Sequence, residues 1–125
     1  MHEIPAEEFE GMVARAVEAL PESFRERIAN LDFSVEEWAA PEDYARTRSP
    51  RGSTMLGVYR GIPLSRRGSG YHMALPDRIV IFRGPLQRLA VDQSDLEDRV
   101  THVVRHEVAH YFGISDDRLR EIDAY

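Results

Sequence analysis

Apolar residues near the start of the chain fall at Phe9, Met12, Val13, Ala16, Val17 and Leu20, the i, i+3, i+4 spacing of a helix with one buried face. The stripe predicts an amphipathic helix from about Ala6 until Pro21 stops it. Ser23 and Glu26 then stand at capping-box spacing and predict a second, shorter helix carrying Phe24, Ile28 and Leu31. Beyond it the period changes to two. Phe33 and Val35 suggest a strand within Asp32 to Trp38, and MLGVYRGI, from Met55 to Ile62, suggests another. The clearest strand is Arg78-Ile79-Val80-Ile81-Phe82-Arg83, closed by Gly84-Pro85 and too apolar for a half-exposed place, so a central position is expected. Residues 41 to 54 and 63 to 76 carry Pro41, Pro50, Gly52, Pro63, Gly68, Gly70 and Pro76 among Arg and Ser, a composition for long surface loops. A helical turn is expected at Pro85 to Ala90. Ser94 with Glu97 then opens a helix that runs to about Phe112 and ends at Gly113.

The last helix carries an anomaly. At 100° per residue, Leu96, Val100, Val103, Val104 and Tyr111 share one apolar stripe, and Glu107 falls near its middle. A carboxylate among valines is costly to bury, so it is either paired or put to use. His106 and His110 sit side by side on the flank of the stripe, near enough for both imidazoles to reach one ion. His102 lies one turn earlier. It is about 12 Å along the axis from His110, too far for one ion to take all three, and reads as a surface or supporting residue.

His106-Glu107-x-x-His110 by itself arises by chance in roughly 2% of chains with this His and Glu content, so the short motif alone decides little. Gly113 and Asp116 extend it to HExxHxxGxxD, which lowers the chance expectation by about two orders of magnitude. A glycine after the helix can take the left-handed conformation and turn Asp116 back towards the histidines as a third ligand. The competing role for Asp116 is an acid in the first turn of a final helix capped by Ser115, the role assigned to Asp117.

Composition narrows the chemistry further. The 125 residues suit a single domain, 1–125, with a core that buries roughly 65% of the unfolded surface. The net charge of −6 argues against nucleic acid as a partner, since phosphate binding needs concentrated Lys and Arg. There is no cysteine, so a metal would be held by His and carboxylate. The N-terminal MHEIPAEEFEG has neither a basic start nor an apolar run, and no stretch approaches about 18 unbroken apolar residues. No membrane association and a cytoplasmic location are expected.

HExxHxxGxxD resembles the zinc motif of the metzincin branch of zincin metallopeptidases, in the variant with Asp as third ligand. LGVYRGIPL, LPDRIVIFRGPL and RHEVAHYFGISDDRL together resemble the minimal zincin-like proteins of bacteria. The resemblance implies an α+β fold, with a small mixed sheet packed with N-terminal helices and a C-terminal active-site helix, and a sheet edge able to align an extended peptide. It further implies Zn2+ held by His106, His110 and Asp116, with Glu107 as catalytic base. The metzincin methionine beneath the metal has no counterpart after Asp116. A zinc-dependent peptidase acting on a peptide or protein substrate is therefore expected. The alternatives are a hydrolase of small amides or esters and a non-catalytic, metal-stabilised binding module or partner subunit.

Overall fold

Helix α1 (Ala6–Glu18) follows the predicted stripe, burying Phe9, Met12, Val13 and Ala16, with Glu7 and Glu8 in its first turn and Arg15 in its last, charges that complement the helix dipole. The computed structural model describes residues 3–47, 49, 53–61 and 77–114. Helix α2 (Glu22–Arg27) forms without the expected Ser23–Glu26 box. It begins two residues earlier, where the Pro21 carbonyl accepts the N–H groups of Phe24 and Arg25, so Ser23 falls inside the first turn rather than at the cap.

Strand β1 (Asp32–Glu36) lies where the alternation places it. Residues 41 to 47, whose composition suggests a loop, instead form helix α3 (Pro41–Thr47). Pro41 occupies its first position, where a missing N–H costs nothing, and the Asp43 carboxylate accepts the Ala40 N–H at 2.9 Å. Strand β2 (Gly57–Arg60) and strand β3 (Arg78–Phe82) follow. Ile62 and the loop expected at 63 to 76 lie outside the described residues. Helix α4 (Arg83–Leu89) starts directly after β3 and takes Gly84-Pro85 into its first turn, where proline is tolerated.

The sheet order is β1-β3-β2, with β1 parallel and β2 antiparallel to β3, pairing Phe33 with Ile79 and Tyr59 with Ile79. The fold is thus α+β with a small mixed sheet. Ile79, Val80, Ile81 and Phe82 are fully buried, as expected of a central strand covered on both faces. On one face Tyr59, Ile79 and Ile81 join the apolar stripes of α1 and of helix α5 (Gln93–Tyr111) in the main core. On the other, Val58, Val80 and Phe82 form a smaller cluster with Ala39 and Met55.

That second face also carries a polar clamp. Arg60, at the end of β2, donates from Nε and Nη2 to the two Asp43 oxygens and from Nη1 and Nη2 to Glu36, all at 2.8 to 3.0 Å. These paired forks tie β2 to α3 and to β1. No described helix is long and apolar enough to cross a membrane.

Candidate metal centre

Helix α5 positions the candidate residues, and its ends are built by short-range hydrogen bonds. At the N-terminus the cap is Asp92 rather than Ser94: its Oδ1 accepts the Asp95 N–H at 2.8 Å, and Asp95 Oδ2 accepts the Val91 N–H at 3.0 Å. The two acids thus satisfy one N–H of the opening turn and one just before the cap, two residues ahead of the expected box. At the C-terminus Gly113 adopts φ 78°. The Ile114 N–H reaches the Ala109 carbonyl and the Gly113 N–H reaches the His110 carbonyl, both at 2.9 Å. This is a Schellman ending. The glycine expected to turn the chain does turn it, three residues after the second histidine.

Between these ends Leu96, Val100, Val103, Val104, Glu107, Val108, Ala109 and Tyr111 are buried. Glu107 therefore lies on the packed face as its place in the stripe requires, and is 7% exposed. His106 and His110 are half-buried beside it. Their ring centroids are 4.3 Å apart with planes inclined at 67°, and Glu107 Oε1 is 3.5 Å from His110 Nδ1. One ligand atom from each of His106, Glu107 and His110 lies within 4.8 Å of the others.

This donor set fits a divalent metal: neutral imidazoles and a carboxylate are the nitrogen and oxygen ligands zinc accepts. His102 stands apart. It is exposed, and its ring centroid is 6.3 Å from that of His106. Asp116 and Asp117 lie outside the described residues.

One residue that shapes the site escaped the motif. A Cβ on Gly57 would lie 2.7 Å from Val103 Cγ1, 3.2 Å from Glu107 Cγ and 3.2 Å from the Val80 carbonyl oxygen. The absent side chain lets α5 pack its buried turn closely against β2, leaving no room for a side chain between the strand and Val103 or Glu107. A glycine interrupting an otherwise apolar strand signals such a close approach, and that was the available clue. Tyr59, two residues on, packs edge-to-face on Tyr111 with centroids 5.4 Å apart, holding the same strand against the end of α5.

A family model described as zincin-like metallopeptidase matches residues 28–125. Among solved structures, a conserved hypothetical protein from Thermo thermophilus is similar at a TM-score of 0.58 and 25% identity, covering 96% of this chain and 98% of that one. No curated protein matches the chain.

Proposed function

Because the chain belongs to the zincin-like metallopeptidase family, we propose that it is a zinc-dependent peptidase in which His106, His110 and Asp116 hold the metal and Glu107 is the catalytic base. The observation that carries this reading is the buried Glu107 with both imidazoles inside 4.8 Å, on a helix packed closely against the antiparallel strand β2. Open zinc sites use three protein ligands and leave one position for water. Asp116 is the third ligand in this reading because it stands at the motif spacing after the turn at Gly113.

When bound, the metal supplies Lewis acidity, polarising the scissile carbonyl and lowering the pKa of water towards about 7. The remaining work belongs to the protein. Glu107 takes the proton of the attacking water and delivers it to the departing amine. Its stem lies in the tight gap between α5 and Gly57 of β2, and His110 Nδ1 lies 3.5 Å from its Oε1. The half-exposed imidazoles leave the site open to substrate. An extended peptide aligns along an edge of the sheet, where main-chain hydrogen bonds provide affinity and alternate side chains are read. Peptide or protein substrates, rather than nucleic acid, follow from that edge and from the net charge of −6.

The reading is tested by metal analysis and by digestion of a diverse peptide library with zinc supplied. About one zinc per chain is expected, lost in His106→Ala and reduced by at least about 100-fold in affinity in His110→Ala. Stoichiometric, tight zinc in both variants would overturn the ligand assignment. Asp116→Asn should weaken zinc far more than Asp117→Asn; equal affinities against a competing chelator would remove Asp116 from the ligand set. Tight zinc with no cleavage of any peptide would move the assignment to a metal-stabilised binding module.

A further inference from the structure

Helix α5 carries a third histidine that the peptidase reading does not use. His102 lies one turn before His106, with ring centroids 6.3 Å apart and planes within 30° of parallel. It is exposed, as is Asp98 one turn earlier still, whereas His106 and His110 are half-buried. Potential donors therefore recur every four residues along one flank of the helix, from open solvent down to the candidate metal centre.

Metal geometry separates the two histidine pairs. With metal–nitrogen distances of about 2.1 Å, two imidazoles on one ion at a roughly tetrahedral angle place their centroids about 5 Å apart. The 4.3 Å between His106 and His110 is near that value. The 6.3 Å between His102 and His106 requires a modest side-chain rotation, which an exposed residue can make within its rotamer wells. Side chains four apart on a helix are neighbours, so the second pair is within reach. His102 and His110 are not, being about 12 Å apart along the axis. An ion held by His102 must therefore either share His106 or leave the inner pair untouched.

We propose that His102 and His106 form a second, overlapping pair for a late transition-metal ion, which takes the ion from solvent and passes it through the shared His106 to the inner pair. The inference rests on His106 and His110 being the inner ligands. During transfer the bond to His102 breaks and the bond to His110 forms, while His106 keeps hold of the ion. The direction follows from the surroundings. The outer pair offers two imidazoles, with Arg99 and Arg105 three residues to either side of His102 and Asp98 four residues before it. Arg99 is partly neutralised by Asp95 at 2.9 Å, while Arg105 is exposed. Two imidazoles near a cation bind a metal more weakly than two imidazoles with carboxylates beside them, so the ion moves inward.

The experiment is a cobalt titration and a stopped-flow cobalt-loading measurement on the full chain. Wild type is compared with His102→Gln, His110→Ala and the double variant, each checked for helicity. His110→Ala should retain weak binding of one cobalt per chain, and adding His102→Gln should weaken it by about tenfold or more. His102→Gln alone should keep the wild-type capacity but load several-fold more slowly. Should His110→Ala lose helicity, His110→Gln serves in its place. Equal cobalt affinity in the single and double variants, or no binding in either, would overturn the second pair. Loading of His102→Gln at the wild-type rate would overturn the transfer. A wild type that binds no more tightly than His110→Ala would strike the inner site, and the transfer with it, while the outer pair is still read from the difference between single and double variants.

Discussion

Two carboxylates are buried on opposite faces of the same small sheet, and the protein treats them differently. Asp43, 1% exposed, accepts the Ala40 N–H and two N–H groups of Arg60, each at 2.9 Å. Glu107, 7% exposed, has its stem in the tight gap opposite Gly57, and its Oε1 faces His110 Nδ1 at 3.5 Å, beyond good hydrogen-bond length. The first is saturated and holds β2 in place. The second is kept beside two half-exposed imidazoles, in the cluster that could hold a metal ion. A buried acid is informative in itself, but its partners decide whether it serves the fold or the chemistry.

Exchanging the charge of each acid tests that division, and the largest effect is expected at Glu107. In the peptidase reading Glu107→Gln keeps its metal and its fold but loses turnover by about 10²- to 10⁴-fold. Its melting temperature should be equal to wild type or higher, because an amide is cheaper to bury than a charge. Peptide hydrolysis, metal content and thermal melting read the three quantities separately. Hydrolysis that survives the substitution would remove Glu107 as the base.

On the other face the effect should be on stability alone. Arg60→Ala leaves Asp43 buried and unpaired, a defect that costs about 3 kcal/mol for a pair this well enclosed, measured by urea unfolding. Metal affinity of the folded variant should stay within a few-fold of wild type. Its loss would show that the clamp on β2 also sets the geometry of α5.

Gly57→Ala probes where the two regions meet, since its new Cβ would sit 2.7 Å from Val103 and 3.2 Å from Glu107. Overpacking of this kind costs about 1 to 3 kcal/mol. Adding Val103→Ala removes the closer contact and should recover part of that stability in the same unfolding assay; no recovery would mean that the strain lies elsewhere.

The smallest expected effect is in the acid range. Burial acts to raise the Asp43 pKa, but the hydrogen bonds from Arg60 and Ala40 and the charges of Arg60 and Arg46 outweigh it and hold it below the ordinary 3.8. A folded pKa below the unfolded one gives stability that is fully present well above pH 3.8 and is lost as pH falls through that value towards the folded pKa. The stability gap between wild type and Asp43→Asn should therefore be constant near neutrality and close as the solution is acidified below about pH 4. A gap that persists unchanged there would mean that the charge of Asp43 is not what stabilises the clamp.

The elements legible in the sequence are those whose signal is local. The stripe of α1, the apolar run of β3, the left-handed Gly113 and the side-by-side His106 and His110 each depend on residues within a turn or two of one another, so period and spacing suffice. Even the burial of Glu107 followed from its place among valines. The local signals that failed were displaced rather than absent. Two Ser–Glu boxes gave way to the Pro21 carbonyl and to the Asp92–Asp95 pair, because several acids and hydroxyls near a helix start compete for the same few N–H groups.

What only the tertiary structure decided involves partners remote in the chain. Helix α3 arises where composition suggests a loop, and the Arg60 fork, reaching Asp43 and Glu36 at once, holds it to the sheet. Among the described strands, β2 lies antiparallel at one edge because β1 and β2 took opposite sides of β3. Gly57 met Glu107 only when that strand packed on α5. A sequence specifies which faces must be buried through short-range periodicity; which buried faces meet is settled by long-range packing, where volume, hydrogen-bond satisfaction and strand order must all be met together.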